Sequence, residues 1–157
     1  MTDSEKARAI IEENIYMVLA TASMEGEPWV SPVFYAYDDK YNFYWVSNKD
    51  SHHSTLLARN PRVAISIFNS HAVEGGGDGV YISARVEVLA DKADLEKGME
   101  VFNGRATMED FKIKDVSAVS VAGVWRIYRA VPIEVSKLGP GTYIHGQYVD
   151  QRVVVHL

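Results

Sequence analysis

The feature that most constrains this chain is a succession of short apolar runs, each closed by a turn and none joined to the next by a long amphipathic helix. Residues 15–22 form the first run, ended by Met24-Glu-Gly-Glu27; residues 28–37 the second, ended by Asp38-Asp39-Lys40; residues 41–47 the third. β-branched and aromatic residues suit a pleated, half-buried surface, and Gly/Asp-rich clusters between such runs turn the chain back. Three runs so closely spaced predict an antiparallel meander. Further runs follow at 62–69, where Val63, Ile65 and Ile67 alternate against Ala64 and Phe68, and at 80–90, 123–138 and 148–157. Pro132 marks a bend or bulge in the long run, and Gly139-Pro-Gly141 predicts a turn after it. The loop Glu74-Gly-Gly-Gly-Asp-Gly79 lacks the Lys-Ser/Thr ending of a P-loop and runs into a strand, so it reads as a hairpin connection. Helices are short: 3–14, started by Asp3 or Ser4; 51–60, capped by Ser51, burying Leu56 and Leu57 and stopped by Asn60-Pro61; and 91–103, with Leu95, Met99 and Phe102 on one face. Residues 104–118 show no clear period. Six or seven strands with only short helices make the chain mainly β, a barrel or sandwich; no strand–helix–strand rhythm of about 30 residues supports a dinucleotide-binding sheet.

At 157 residues this is a single domain, 1–157, large enough for a real core. Its net charge of -5, with basic residues scattered, gives nucleic acid no electrostatic footprint. No apolar run approaches the roughly 18 residues of a membrane span. The first 13 residues mix charged and single apolar side chains, unlike a secretory leader, and there is no cysteine; a cytoplasmic location is the expectation.

Candidate chemistry concentrates after the third run. Ser47, Ser51, His52 and His53 surround a strand end and a helix start, where free N–H groups and the helix dipole favour an anion. Histidines beside a cap are also common without any role, and local chemistry leaves both readings open. Neighbouring helical residues point about 100° apart, so His52 and His53 are poorly placed to chelate one metal; His71, His145 and His156 supply no metal spacing. No metal site is expected. No Ser–His–Asp or paired-carboxylate constellation is selected by spacing, so the catalytic residues are unknown, and Trp29, Trp125 and Arg126 read as strand residues.

Three stretches together resemble the pyridoxamine 5'-phosphate oxidase-like family. They are Ala20-Thr-Ala-Ser-Met-Glu-Gly-Glu-Pro-Trp-Val-Ser-Pro-Val33 with Phe43-Tyr-Trp-Val-Ser47; Ser51-His-His-Ser-Thr-Leu-Leu-Ala-Arg-Asn-Pro-Arg-Val-Ala64, similar to a Ser-Arg-Lys…Asn-Pro-Arg-Val segment; and the closing Trp125-Arg-Ile-Tyr-Arg-Ala-Val-Pro-Ile-Glu134 with Asp150-Gln-Arg152. The resemblance implies a six-stranded antiparallel split β-barrel with short flanking helices, working as a homodimer with FMN (flavin mononucleotide) between the subunits. It further implies that Ser31, Pro32 and Val33 line the flavin, that Trp45, Val46 and Ser47 approach it from the next strand, that Ser51, His52 and His53 meet its phosphate, and that Arg152 reaches the cofactor from near the C-terminus.

The chain departs from the family pattern in three places. The arginine expected near Ser31 and the Arg-Lys pair expected at His52-His53 are absent, and each lost charge-assisted bond weakens phosphate binding by about 1.5–3 kcal/mol. Ser136 stands where the oxidase has a flavin-side tryptophan, and residues 91–120 hold no counterpart of the oxidase's substrate-phosphate motif. The resemblance therefore implies a flavin-dependent oxidoreductase of unknown small-molecule substrate rather than the oxidase itself. Its alternatives are a non-catalytic flavin, deazaflavin or haem carrier of the same fold, or a cofactor-free dimer.

Overall fold

A computed structural model describes all 157 residues. Eight strands, β1 (Tyr16–Ala22), β2 (Pro28–Phe34), β3 (Ala36–Tyr37), β4 (Phe43–Asn48), β5 (Arg62–Phe68), β6 (Gly79–Val88), β7 (Trp125–Ile144) and β8 (Gln147–Val155), form one antiparallel sheet. Three helices, α1 (Asp3–Glu13), α2 (His52–Arg59) and α3 (Lys92–Arg105), and two 3-10 turns, Glu109–Phe111 and Val116–Val119, pack around it. None of the helices is long and apolar enough to cross a membrane.

The strand order is β2-β1-β5-β6-β7-β4-β3, with β8 beside β7. β2 and β3 are thus the two edges of a sheet curled on itself, and Tyr35 alone joins them in sequence. This is the mainly β, antiparallel split-barrel architecture expected from the sequence. It has eight strands rather than six because the two-residue β3 and the hairpin partner β8 add to the barrel set.

Two local expectations are corrected. Residues 28–37 are not one strand, and β2 does not pair with β4, so there is no three-strand meander. The break is made by Tyr35, which is fully buried at the seam and donates its hydroxyl to the carbonyls of Ile11 (2.6 Å) and Asn14 (2.8 Å) at the end of α1. Arg105 caps the same helix end, donating to the carbonyls of Ile11, Glu12 and Asn14 while lying over the rings of Tyr35 and Tyr37. Second, Gly139-Pro-Gly141 is not the turn. β7 continues through it with a register shift, and Gly141 lies under the Tyr148 ring, leaving no room for a Cβ. The reversal comes at His145-Gly146, both at positive φ (50° and 78°), the conformation a tight two-residue hairpin requires.

The barrel interior is filled by inward-pointing strand residues, Leu19, Val33, Trp45, Ile65, Ile82 and Tyr128 among them, plugged by Ala7 and Ile11 of α1 and Leu57 of α2. A second, smaller core lies on the other face of β4, where Tyr44, Ile127, Leu89, Leu95 and Val119 meet under α3. Gly98 allows that approach, since a Cβ there would stand 2.8 Å from Leu89 Cδ1. The glycine-rich connection after β5 ends on Asp78, whose carboxylate holds the buried Lys137 ammonium at 2.7 Å; Asp3 lies 3.9 Å from the same nitrogen.

Candidate functional site

β4 ends at Asn48, and the chain turns sharply into α2, with Ser51 N–H donating to Asn48 C=O at 3.1 Å. The first helical bond is Thr55 N–H to Ser51 C=O (3.0 Å), so the N–H groups of His52, His53 and Ser54 have no helical acceptor. Ser51 occupies the cap position in extended conformation, yet its side chain does not cap. Its hydroxyl donates instead to Ser54 Oγ (2.7 Å) and lies 3.3 Å from His53 Nε2, which is 2.8 Å from Ser47 Oγ. Ser47 and Ser54 are buried, and no acidic residue stands in the first turn of α2. Burial, and secondarily the neighbouring His52, hold His53 below the usual imidazole pKa, favouring its neutral form.

Beside this cluster, the exposed His52 ring stands edge-on to Trp29 (centroids 4.6 Å apart, planes at 79°), and Trp29 Nε1–H donates to Ser31 Oγ at 2.9 Å. Alternation along β2 turns Ser31 and Val33 inward and Pro32 to solvent. Trp45 is wholly inside the barrel, stacked on Tyr128 (5.3 Å, 11°), and its Nε1 is a buried donor with no partner. Val46 faces the opposite side of β4, toward the second core.

The structure therefore brings Ser47, Ser51 and His53 into direct contact and sets His52 and Ser31 next to them through Trp29. Arg152 lies elsewhere in the chain. Ser47 is opposite Arg126 on β7, whereas Arg152 is opposite Leu138, twelve residues further along the same strand. Arg152 donates to Glu134 (2.9 Å) and Ser136 (2.8 Å) at the rim of a shallow cavity of about 300 Å³. Val18, Ala20, Ala64 and Ser66, on the solvent side of β1 and β5, form its floor.

Three residues of this region were not singled out by the sequence. Ser54 is three residues after Ser51, a spacing that places both on one helix face. Trp29 orders the Ser31–His52 side. Arg126 is the cation directly across from Ser47, but both its terminal nitrogens are engaged by the carbonyls of Ser120, Val121, Gly123 and Trp125. Only the last of these had no local signal, because the acceptors are backbone atoms of a segment without periodicity.

The family profile for pyridoxamine 5'-phosphate oxidase matches residues 3–128. A pyridoxine/pyridoxamine 5'-phosphate oxidase of Xylella fastidiosa strain Temecula1 is 39% identical over 79 residues, covering 50% of this chain and 38% of that protein, so the match spans well under half the relative's length. Among solved structures, a haem-binding protein from Mycobacterium smegmatis superposes with a TM-score of 0.72 at 19% identity, over 96% of this chain and 58% of that one. A pyridoxamine 5'-phosphate oxidase-related, FMN-binding protein from Nostoc punctiforme superposes with a TM-score of 0.62 at 12% identity, over 98% of both. At such identities the structural matches speak for the fold, while the profile spans most of the sequence: the chain belongs to the pyridoxamine 5'-phosphate oxidase family.

Proposed function

We propose that this chain is an FMN-dependent oxidoreductase that works as a homodimer, with the phosphate of the cofactor at the start of α2. The observation that carries this reading is the α2 start itself. Its first N–H groups are left without a side-chain acceptor, no acid stands in its first turn, and the hydroxyls of Ser47 and Ser51 and the His53 imidazole gather beside it. That donor set suits a phosphate. It contains no free permanent cation, because Arg126 is engaged by carbonyls and Lys49 pairs with Asp50 at 3.0 Å. Bound there, FMN would supply the redox chemistry; the protein would contribute position, an aromatic flank at Trp29 and donors at the phosphate.

The placement of the remaining residues supports the dimer. The solvent side of the sheet carries exposed apolar side chains, Val30, Phe68, Ile133 and Val154 among them, around small residues and the Arg152 rim. An exposed apolar surface of this kind favours association. Arg152 has no contact with the α2 cluster in its own chain, being bonded to Glu134 and Ser136, and in the proposed twofold dimer its rim would serve the α2 start of the other subunit.

Visible absorption of the purified protein before and after adding FMN tests the reading. A flavin spectrum that bleaches under NADH or NADPH, from a species of twice the chain mass, is the expected result. His53→Ala is expected to weaken FMN by about tenfold or more while leaving riboflavin, which has no phosphate, nearly unchanged; equal weakening of both ligands rejects the phosphate placement. A second reading rests on the exposed His52 against Trp29, an imidazole beside an aromatic wall, and on the haem-binding protein among the structural neighbours. A Soret band on adding haemin, lost in His52→Ala, would replace FMN by haem.

A further inference from the structure

The two faces of β4 have different surroundings. Ser47 belongs to the α2 cluster; Val46, one residue earlier, turns to the other face and lines a cleft of about 370 Å³ under residues 110–119. That volume falls within the roughly 300–1,000 Å³ of small-molecule sites. Its walls are aromatic. Phe102 comes from α3, Phe111 from the first 3-10 turn and Trp125 from the start of β7, and Phe102 and Phe111 are 5.6 Å apart with planes 36° from parallel. Phe111 and Trp125 are each about half exposed, at 54% and 49%, so this aromatic surface has been gathered without being covered.

The roof is fixed at both ends. The Asn103 side-chain amide holds Ile113 through its carbonyl and its N–H, both at 2.8 Å, and Arg126 holds the carbonyls of Ser120, Val121, Gly123 and Trp125. The cleft is therefore built into the resting structure rather than opened by an arriving molecule.

Charge at the mouth is already balanced. Lys112 and Lys114 both turn to Glu109, at 2.7 and 3.6 Å, and Asp110 adds a second carboxylate. An anion would have to compete with Glu109 for the lysines, and a cation would have to compete with the lysines for the acids. A neutral ring faces no such competition, and its flat faces and edges match offset and edge-on contacts with Phe102, Phe111 and Trp125.

We propose that this cleft is a second binding site, specific for a flat, uncharged aromatic molecule of one or two fused rings. It goes beyond the flavin reading and does not require it, because its walls belong to the face of β4 opposite the α2 start.

The test uses prodan, a neutral naphthalene whose emission shifts to the blue when it leaves water, titrated into the purified chain with no flavin added. Saturable, blue-shifted binding is expected. Ala118→Trp, which sets an indole in the mouth from an exposed position, is expected to weaken it by about tenfold, and Phe111→Ala by about three- to tenfold. FMN titrations of the same two variants are expected to match the parent chain. No saturable binding by the parent chain, or the same prodan affinity in both variants, overturns the proposal. A protein that takes prodan in this pattern but never binds FMN sustains the cleft while rejecting the flavin reading.

Discussion

Three α-helices begin in this chain, and they begin in two ways. α1 and α3 close their free N–H groups with their own side chains. Thr2 accepts from Glu5 N–H (3.2 Å) while Glu5 reaches back to Thr2 N–H (2.6 Å), and Asp91 accepts from Ala93 (3.1 Å) and Asp94 (3.4 Å). α2 has a serine at the same position with the same extended backbone, and the serine does not cap. Its hydroxyl is drawn sideways by Ser54 and His53. The capped starts are local devices that stabilise their own helices. The uncapped start is organised around its neighbours on β4, and its first N–H groups are left without a side-chain acceptor. A residue of cap-forming type thus identifies where a helix begins, but the company it keeps decides whether its side chain caps the helix.

The sharpest way to break this contrast is to make α2 start as α3 does. Ser51→Asp places a carboxylate where Asp91 stands in α3, able to accept from the free N–H groups and to favour the helix dipole. The unliganded protein is expected to gain about 0.5–1 kcal/mol in thermal or urea unfolding. The same carboxylate occupies the proposed phosphate position and repels it, so FMN affinity is expected to fall by about a hundredfold, some 3 kcal/mol. A variant that becomes more stable and still binds FMN as before would show that the phosphate does not sit at α2.

Proton linkage gives the next largest effect. Burial holds His53 below its ordinary value of 6.5, so near pH 7 the unliganded protein carries it neutral, whereas the unfolded chain accepts the proton more readily. Stability from this group is therefore present above about pH 6.5 and is lost as the pH falls through the lower folded value, because the unfolded state then binds more protons. A bound phosphate reverses the preference by favouring the imidazolium. FMN binding is expected to take up protons and to tighten as the pH is lowered from about 8 to about 7, where a phosphate with a second pKa near 6 stays about nine-tenths dianionic or more. Calorimetry in buffers of different ionisation enthalpy reads the proton uptake directly. His53→Lys, which supplies a permanent charge, is expected to flatten the pH dependence and tighten FMN by up to about tenfold.

How much of this was legible in the sequence follows from the range of the interactions. Strand runs, the α2 boundaries and the position of Ser51 are set by nearest neighbours, and they were readable. The seam at Tyr35 was not, because its hydroxyl is satisfied by carbonyls more than twenty residues away at the end of α1, where β2 stops and β3 begins at the opposite edge. Gly139-Pro-Gly141 misled for a related reason: turn-forming residues were absorbed into a strand because Tyr148 packs over Gly141. In the candidate site, the Ser47–Ser51–His53 grouping was legible as a strand end meeting a helix start. The family resemblance also implied that Arg152 serves the cofactor from near the C-terminus, but the separation of Arg152 from that grouping depends on β7 running twelve residues past Arg126 to Leu138, which no local pattern reports.

The smallest effects separate the two kinds of start most cleanly, because they ask about helix stability alone. Asp91→Ala removes a side chain that accepts two backbone N–H groups, and is expected to cost about 1 kcal/mol of unfolding free energy without changing FMN affinity. Ser51→Ala removes the residue in the equivalent position of α2, but no N–H loses an acceptor, because the hydroxyl was bonded to Ser54 rather than to the backbone. Its cost is expected to be below about 0.5 kcal/mol, set by one hydroxyl–hydroxyl bond at a half-buried position. Parallel urea titrations of the two alanine variants decide the matter. If Ser51→Ala proves as costly as Asp91→Ala, the serine caps α2 in solution, its first N–H groups are satisfied by the chain itself, and the physical basis for an anion at that helix start is gone.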